Sequence, residues 1–558
     1  MMTLTDEVKR EIGQHFVFGF HGHEVSEDIK TLIQDYHLGS IILMKRNVHD
    51  AKQVRGLIRQ LQTIAKEAGH ERPLLIGIDQ ENGLVSAFSS PTAGTQFPGA
   101  MALAATGSVD IAFDVSAATA KELKMVGINW AYSPVADVNS DSRNPVIGVR
   151  SFGDNPADVA RYASAVARGL TSSGVAPSAK HFPGHGDTHI DSHLALPRIM
   201  KSKDELKRTE LVPFEHLVQG INPVASVMIG HMALPGLTGD DTPASLSPVV
   251  TKELLRKEMG YDGVVVTDCL EMDAIAVPLQ GGCGVEEGAI RSLASGIDVV
   301  MVCHTFARHI GSIKATYAAV ESGRLNFSDL VEGGKRIARM KETFIGGWSE
   351  VLGEESDDAA FEEAWKSLKA GNTELSRKAY QMSSTVVRGK DKLPLKLVEE
   401  AKVVLFTPAI ESLNKAVDDA DGVLMDAAGR LRNTAGPSYL ALADQVQKRA
   451  KTRHVVYSPN DIEVKGITAD VGAVIFVLRN ADRSVWQTQY LDKVVEACKA
   501  IPVVLLASCG PYDLAGRADL RDRTAYVASF EFRREAFEAF VAVVFDGLEG
   551  PGRVPVGL

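Results

Sequence analysis

Residues 263–272 read "GVVVTDCLEM", a short apolar run that ends in polar residues. The same pattern recurs in seven other segments, which are "HFVFGF" (15–20), "GSIILM" (39–44), "PLLIGID" (73–79), "NWAYSPVADV" (129–138), "PSAKHF" (177–182), "ASVMIGHM" (225–232) and "DVVMVC" (298–303). Segments with helical periodicity lie between these runs. Eight strands that alternate with helices over roughly 300 residues predict an α/β fold with a (β/α)8 barrel of the TIM type. An open, doubly wound parallel sheet gives a similar pattern and is the alternative.

Polar residues directly follow many of these runs, as in "GIDQEN" (77–82), "VADVNSDSRNP" (135–145), "KHFPGHGD" (180–187) and "VTDCLEMD" (266–273). In a barrel, the carboxyl ends of all strands lie on one face, where enzymes of this fold carry their active sites. We therefore expect the functional residues of this chain at that face.

Composition divides the chain into three parts. Residues 1–345 contain the eight predicted barrel strands, and residues 346–392 form a charged connector that is expected to be solvated at first and helical later. Residues 393–558 predict a second, smaller α/β sandwich domain. Its predicted strands are "AKVVLFTPA" (401–409), "DGVLMDA" (421–427), "RHVVYSP" (453–459), "GAVIFVLRN" (472–480), "PVVLLASCG" (502–510) and "TAYVAS" (524–529).

Charge and apolar content exclude several classes of partner. The 558 residues have a net charge of −11 and no long Lys/Arg run, so nucleic acid is not expected to bind. No stretch approaches the eighteen apolar residues of a membrane span, and the first residues have no apolar core of a signal peptide. Five cysteines suit reduced, packed thiols. We expect a soluble, cytoplasmic protein.

The segment "KHFPGHGDTHIDSHLALP" (180–197) has a histidine or aspartate at every second position from 185 to 193. This pattern fits a metal site, a polar surface loop or an acid/base device. Alternate residues of an extended segment point to one side and can share a cation. Against this, Pro183, Gly184 and Gly186 make a regular strand improbable, and no metal is expected.

The acid/base interpretation rests on Asp191 and His193. A carboxylate two residues before a histidine can accept a hydrogen bond from one ring nitrogen and leave the other nitrogen for proton transfer. Asp268 in "VVVTDCLEMD" is its expected chemical partner, although an aspartate there could also serve only as a helix N-cap. A carboxylate opposite a general acid is the arrangement for displacement at a sugar anomeric carbon.

These motifs resemble glycoside hydrolase family 3, specifically its β-N-acetylglucosaminidase branch. The resemblance rests on "KHFPGHGDTHIDSH" (180–193) and "VVVTDCLEM" (264–272), supported by "GIDQENG" (77–83), "DVNSDSRNPVIGVRSFG" (137–153), "ELSRKAYQMSSTVVR" (374–388) and "FDGLEGPGRVPV" (545–556). It spans the barrel, the connector and the second domain, which in two-domain members is an α/β/α sandwich. It implies an exo-acting, retaining glycosidase that removes N-acetylglucosamine from chitin-derived oligosaccharides or other β-N-acetylglucosaminides.

The resemblance also implies residue roles. Asp268 matches the nucleophile, His193 the acid/base histidine and Asp191 its partner in a dyad. Four further residues match groups that hold the sugar hydroxyls, namely Asp79, Arg150, Lys180 and His181. From the residues alone, Asp79, Arg150 and Lys180 equally suit a buried ion-pair network.

Several alternatives remain open at this stage. A histidine that is neutral after proton transfer does not repel an anionic acceptor, so the chain could be a phosphorylase that uses phosphate. It could also be a non-catalytic sugar-binding protein on the same fold. Where many relatives read "DQEGGRV", this chain has Asn82 and Leu84, which places a peptidoglycan-fragment substrate in doubt. We expect no cofactor, a small-molecule or oligosaccharide substrate, and a monomer or homodimer.

Overall fold

The eight predicted runs form a closed parallel barrel in a computed structural model, which describes residues 3–89, 93–188, 196–219, 222–278, 282–353, 357–398, 400–409 and 436–558. A second sheet follows in the chain. The predicted fold class is confirmed, and the open, doubly wound alternative is wrong because the first and last of the eight strands pair with each other.

The strands within the described ranges are β1 (Phe16–Phe18), β2 (Ser40–Leu43), β3 (Leu75–Ile78), β4 (Gln80–Asn82), β5 (Val85–Ser86), β6 (Trp130–Ala131), β7 (Ala176–Phe182), β8 (Ser226–Ile229), β9 (Val264–Cys269), β10 (Val299–Val302), β11 (Thr385–Arg388), β12 (Lys402–Pro408), β13 (Lys451–Tyr457), β14 (Val471–Leu478), β15 (Val503–Ala507) and β16 (Thr524–Ala528). The barrel order is β1-β10-β9-β8-β7-β6-β3-β2, and β4 and β5 form a separate antiparallel pair.

The α-helices of the same ranges are Asp6–Gln14, Glu27–Asp35, Ala51–Glu67, Ala100–Ala105, Val109–Val126, Pro156–Ser172, Lys203–Arg208, Leu211–Val218, Pro235–Thr238, Asp273–Ala276, Val285–Ala294, Phe306–Glu321, Phe327–Phe344, Trp348–Leu352, Asp358–Ser383, Gly436–Gln447, Trp486–Ala497 and Arg534–Val541. A π-type helix, Val249–Glu258, lies between β8 and β9. None of the described helices is both long enough and apolar enough to cross a membrane.

Helix Ala51–Glu67 illustrates how the sequence makes the outer layer. Asp50 caps its first turn by accepting a hydrogen bond from the backbone N–H of Gln53 at 2.9 Å. Its buried residues recur every three or four positions, as Val54, Leu57, Ile58, Leu61 and Ala65. This spacing places one apolar stripe against the barrel and leaves the opposite face to water.

The barrel interior is filled by alternate residues of the strands. They form one buried cluster that includes Val17, Ile42, Leu75, Trp130, Met228, Val264, Val266, Val299 and Met301. Their strand neighbours, such as Ile41 and Val265, belong to the larger cluster beneath the helices. Period-two alternation of this kind is what a barrel requires, since each strand buries both of its faces.

The second sheet has the order β11-β16-β15-β14-β12-β13 and is covered on both faces. Val404 and Phe406 of β12 belong to one apolar cluster, whereas Val403 and Leu405 belong to another on the opposite face. All its pairs are parallel except β11 with β16. The layers are those of the expected α/β/α sandwich.

The structure of residues 346–558 differs from the sequence prediction at one strand. Strand β11 lies within the stretch interpreted as connector, where the sequence predicted no strand, and it pairs along the edge of the second sheet. The predicted strand at 421–427 lies outside the described residues. The long helix Asp358–Ser383 agrees with the helical character expected for the later part of the connector.

The two domains contact each other through apolar and polar groups. Leu84 of the barrel belongs to one core cluster of the sandwich domain, and Met101 belongs to the other. The Glu531 carboxyl accepts hydrogen bonds from the backbone N–H of Gly99 at 2.5 Å and from the Tyr380 hydroxyl at 2.9 Å. The sandwich therefore lies beside the carboxyl ends of barrel strands, close to β4.

Candidate active site

Strand direction brings the predicted site residues to one rim of the barrel. Asp79 follows β3, Lys180 and His181 lie in the last half of β7, and Asp268 is the penultimate residue of β9. Arg150 ends the short helical turn Gly148–Arg150 in the loop after β6. All of these residues therefore lie at the carboxyl ends of parallel barrel strands.

Lys180 lies at the centre of a buried ion-pair network. Its Nζ is 2.6 Å from Asp79 Oδ1 and 2.6 Å from Glu81 Oε1. Arg150 binds the same glutamate through two bonds, from Nε to Oε2 at 2.9 Å and from Nη2 to Oε1 at 2.7 Å. The Asp79 side chain keeps 30% exposure, whereas that of Lys180 has 3%. The network therefore fixes Asp79 while leaving it accessible.

The charges of this network stabilise one another. Burial acts to raise the pKa of Glu81, but the positive charges of Arg150 and Lys180 outweigh it and lower that pKa to about 2. Burial acts to lower the pKa of Lys180, but the charges of Asp79 and Glu81 raise it above its usual value. Glu81 and Lys180 are thus both ionised at neutral pH. The sequence also suited a buried ion-pair network of Asp79, Arg150 and Lys180. These three residues do belong to one network, but Glu81 is its fourth member and the one that joins the two cations.

Asp137 orients His181 and the start of the following loop. Its Oδ2 lies 2.7 Å from His181 Nδ1, and its Oδ1 accepts the backbone N–H of His185 at 2.7 Å. Burial acts to raise the pKa of Asp137, yet the charge and hydrogen bond of His181 hold it below its usual range. With Nδ1 directed at this carboxylate, His181 Nε2 faces Arg150 Nη2 at 3.4 Å.

Asp268 is half-buried at the end of β9. Its Oδ1 accepts a hydrogen bond from the backbone N–H of Cys269 at 2.7 Å. That bond fixes the carboxylate within the turn at the strand end. Asp268 is not a helix N-cap, which was the other interpretation of this residue. The helix that follows begins at Asp273, and its N-cap residue is Met272.

The acid/base pair, Asp191 and His193, lies outside the described residues. The stem that leads to it is anchored on the β6 loop. Asn144 Nδ2 donates to the carbonyl oxygens of His185 at 2.8 Å and Gly186 at 3.0 Å. A Cβ at Gly186 would meet the carbonyl oxygen of Val138 at 1.5 Å, so glycine is required for this close approach.

His185 and Asp187, the described members of the alternating His/Asp set, have different partners and do not share one binding point. His185 Nδ1 contacts the Thr188 hydroxyl at 3.0 Å, and burial lowers the pKa of this histidine to about 4. Asp187 instead faces Lys201 Nζ at 3.2 Å. These two side chains shape the loop stem, as expected for the non-metal interpretations, while His189 lies outside the described residues.

Two cavities lie beside Arg150. One, of about 450 Å³, is lined by Glu81, Asn82, Leu84, Ser133 and Glu531 among others. The other, of about 560 Å³, lies between the barrel loop 142–150 and the sandwich domain, which contributes Arg479, Arg483, Tyr512 and Phe532. The second domain therefore forms one wall of the space next to the predicted sugar site.

Sequence reasoning missed Glu81 and Asp137. Both lie in quoted segments, "GIDQEN" and "VADVNSDSRNP", at the same polar strand ends as the predicted residues. Their position at polar strand ends was the feature of the sequence that could have predicted them as site residues. Their partners are 69 and 44 residues away in the chain, so only the fold reveals that they neutralise Arg150 and orient His181.

Comparisons with known proteins agree with this geometry. The family model described as "Glycosyl hydrolase family 3 N terminal domain" matches residues 7–340. Since this match covers more than half of the chain, the protein belongs to glycosyl hydrolase family 3, and the resemblance found from the motifs is confirmed.

Curated relatives match about half of the chain. "Beta-hexosaminidase A" of Pseudoalteromonas piscicida is 34% identical over 337 residues, which are 56% of this chain and 55% of that protein. "Beta-hexosaminidase" of Tolumonas auensis is 32% identical over 286 residues, 51% of this chain and 81% of that protein. The chain thus spans little more than half the length of the first of these relatives.

Solved structures extend the similarity over both domains. A glycoside hydrolase family 3 β-N-acetylglucosaminidase from Paenibacillus sp. has a TM-score of 0.81 and 30% identity, with 100% of this chain and 99% of that chain covered. A fungal multi-domain β-N-acetylglucosaminidase of the same family has a TM-score of 0.86 and 34% identity, with 99% of this chain and 60% of that chain covered.

Proposed function

We propose that this protein is a retaining exo-β-N-acetylglucosaminidase that removes terminal N-acetylglucosamine from chitin-derived oligosaccharides or other β-N-acetylglucosaminides. The observation that carries the proposal is the rim network, in which buried Lys180 holds the accessible Asp79 at 2.6 Å on the face where Asp268 also lies. The names of the relatives with at least 30% identity support the same activity.

In the proposed reaction, Asp268 attacks the anomeric carbon and forms a covalent glycosyl-enzyme intermediate. Protonated His193 donates its proton to the departing oxygen, and Asp191 orients the imidazole and stabilises its charged form. Neutral His193 then takes a proton from water, which attacks the anomeric carbon and releases Asp268. Two inversions restore the β configuration of the product.

The buried network supplies the sugar-binding groups. Asp79 accepts hydrogen bonds from two hydroxyls of the terminal sugar, because Lys180 holds its carboxylate in one orientation. Lys180, Arg150 and His181 have further donor positions at the same rim. Glu81 keeps both cations ionised and fixed in the buried site, so they need no reorganisation when the sugar binds.

The leaving group is proposed to occupy the cavity between the barrel loop 142–150 and the sandwich domain. This cavity includes Arg150 on one side and Arg479 and Arg483 on the other. Its volume of about 560 Å³ is within the usual range for pockets that bind small molecules. The second domain would then select the aglycone while the barrel binds the sugar.

The protein is further proposed to act in the cytoplasm as a monomer or homodimer without a cofactor in its glycosidase reaction. All five cysteines are free, and four of them are buried. Reduced thiols of this kind are typical of a reducing compartment.

Product analysis on chitobiose tests the proposal. We expect N-acetylglucosamine as the only product, with the β anomer detected first by proton NMR, and no change of product when phosphate is added. Formation of N-acetylglucosamine 1-phosphate would instead support the phosphorylase. Failure to cleave chitobiose or an aryl N-acetyl-β-glucosaminide between about pH 5 and 8, with sugar binding retained, would support the non-catalytic alternative.

A further inference from the structure

Two cysteines and a histidine lie together at the rim of the barrel, next to the proposed nucleophile. Cys269 ends β9, and Cys303 and His304 directly follow β10. Each offers one donor atom, and the three atoms lie within 4.8 Å of one another. Both thiols are buried, with 8% and 3% exposure, whereas His304 is exposed. The strands that carry them pair in parallel, with Cys269 opposite Met301.

We propose that Cys269, Cys303 and His304 form a binding site for a thiophilic divalent cation such as Zn²⁺ or Cd²⁺. Two sulfur donors and one imidazole nitrogen are the ligands that these ions prefer, whereas Mg²⁺ and Ca²⁺ require oxygen donors. Three protein ligands leave the fourth tetrahedral position to water or to another group at the rim.

The surroundings of the cluster favour a cation. Glu271 Oε2 accepts the backbone N–H groups of Cys303 at 2.9 Å and His304 at 2.6 Å, which fixes the turn that carries two of the three donors. The Glu271 carboxylate thus places a negative charge beside the cluster, which favours a cation there.

Arg46 is the charge that opposes binding. Its Nη1 lies 3.1 Å from His304 Nδ1, and its Nη2 donates to the carbonyl oxygen of Cys303 at 2.6 Å. Arg46 therefore places a positive charge beside the cluster and weakens its attraction for a cation.

An unpaired hydroxyl lies in the same part of the barrel. Tyr132 belongs to the buried cluster that includes Cys269 and Cys303. Its hydroxyl has no hydrogen-bond partner among the residues that the structure describes, so this region contains a polar group without a partner.

Occupancy of this site is expected to inhibit the enzyme, an expectation that rests on the proposed function. Cys269 follows Asp268 directly, and its backbone N–H holds the carboxylate at 2.7 Å. A divalent cation on the Cys269 sulfur would place positive charge on the residue next to the nucleophile, and that charge stabilises the carboxylate and makes it less nucleophilic. The carboxylate then attacks the anomeric carbon more slowly.

Cadmium titration of the whole, reduced chain tests the site without any substrate. Each bound ion displaces the two thiol protons and forms two Cd–S bonds, so we expect two protons released per Cd²⁺ and an ultraviolet thiolate-to-metal absorption band. The band should saturate at one ion per chain. Calorimetry in two buffers of different ionisation enthalpy measures the proton count.

Three variants assign the ligands. Cys303→Ser should abolish the band, and His304→Ala, at an exposed position that does not endanger folding, should weaken binding by more than about tenfold. Cys498→Ser is the matched control, since this thiol is buried in the second domain and should leave the titration unchanged. A band that persists in Cys303→Ser, or disappears in Cys498→Ser, would overturn the assignment, as would the absence of any band in the natural chain.

The inhibition is measured separately. Zn²⁺ should reduce chitobiose cleavage by the natural chain and should reduce that by His304→Ala only at concentrations at least about ten times higher. Equal sensitivity of the two proteins would contradict inhibition through this cluster. A chain that binds Cd²⁺ as described but cleaves no glycoside would contradict the proposed function and leave the metal site intact.

Discussion

Buried carboxyl groups behave in opposite ways at the barrel rim and at the contact between the two domains. At the rim, Glu81 is buried beside Arg150 and Lys180, and its pKa is lowered to about 2. At the domain contact, burial raises the pKa of Glu531 to about 7, because its partners are the neutral Gly99 and Tyr380 groups. Burial is common to both, so the nearby cations decide which carboxyl group is charged.

The two regions have different roles. In the proposed function, the charged groups fixed at the rim bind a polar sugar without reorganisation, as preorganised sites do when they stabilise transition states. At the domain contact, the Glu531 carboxyl accepts hydrogen bonds from Gly99 of the barrel and from Tyr380 of the long helix Asp358–Ser383, and so links both to the sandwich.

The largest effect is expected from Asp268→Asn. An amide cannot form the glycosyl ester, so kcat/KM on chitobiose should fall by at least about 10⁴-fold. Steady-state kinetics measure the loss. Asp262→Asn is the matched control, since this exposed carboxylate lies just before the other end of β9 and pairs with Arg339. Loss of activity in both variants, or in neither, would contradict the role of Asp268.

Next comes His193→Ala, whose effect depends on the leaving group. A general acid contributes about 10²–10⁴-fold when the departing oxygen needs a proton. The rate of chitobiose cleavage should therefore fall by roughly 10³-fold. The phenolate of an activated aryl glycoside leaves without protonation, so the rate of the glycosylation step with that substrate should fall far less. Equal losses on the two substrates would argue against His193 as the acid.

A smaller loss is predicted for Lys180→Met. Its buried ammonium positions Asp79 and neutralises Glu81, so kcat/KM should fall by about 10²–10³-fold on chitobiose and on aryl substrates alike. The control is Lys52→Met, which removes only exposed ion pairs with Asp358 and Glu362, and such pairs contribute little. Activity retained in Lys180→Met would show that the rim network is structural.

The smallest effect concerns pH and Glu531. Its folded-state pKa of about 7 exceeds the usual 4.5, so the folded protein binds the extra proton. This contribution to stability is complete below about pH 4.5, declines as the pH rises towards 7 and is lost above it. The free energy of unfolding should fall by roughly 2 kcal/mol between about pH 5 and 8 from this group.

Glu531→Gln mimics the neutral acid and should remove that decline. Thermal unfolding at several pH values compares the variant with the natural chain, and the difference in Tm should grow with pH. A difference that is independent of pH would mean that Glu531 is ionised in the folded state and that the contrast with Glu81 is wrong.

The barrel was predictable from the sequence because each strand is a short buried run with a polar end. All eight runs, including "PSAKHF" at β7, coincide with barrel strands. Strand β11 was not predicted, because four residues after a 26-residue helix provide little pattern and become a strand only through pairing with β16.

The site was only partly predictable. Motifs predict Asp79, Lys180, Arg150 and His181 as sugar-binding residues, but they do not show that Glu81 joins the two cations or that Asp137 orients the histidine. These links depend on contacts between distant strands. The structure explains why Leu84 can stand where many relatives have arginine. The Leu84 side chain is 7% exposed and packs into a core cluster of the second domain. Leucine at this position thus contributes to domain packing.

In the proposed reaction, Asp268 forms a covalent bond with the sugar that the rim network binds. A fluorinated N-acetylglucosaminyl fluoride slows the release of this intermediate, so mass spectrometry of the intact chain and its peptides can detect the bond. We predict one added glycosyl group per chain, on the peptide that contains Asp268, and none in Asp268→Asn. A glycosyl group on another residue, or a product of inverted configuration with no adduct, would contradict the role of Asp268 as nucleophile.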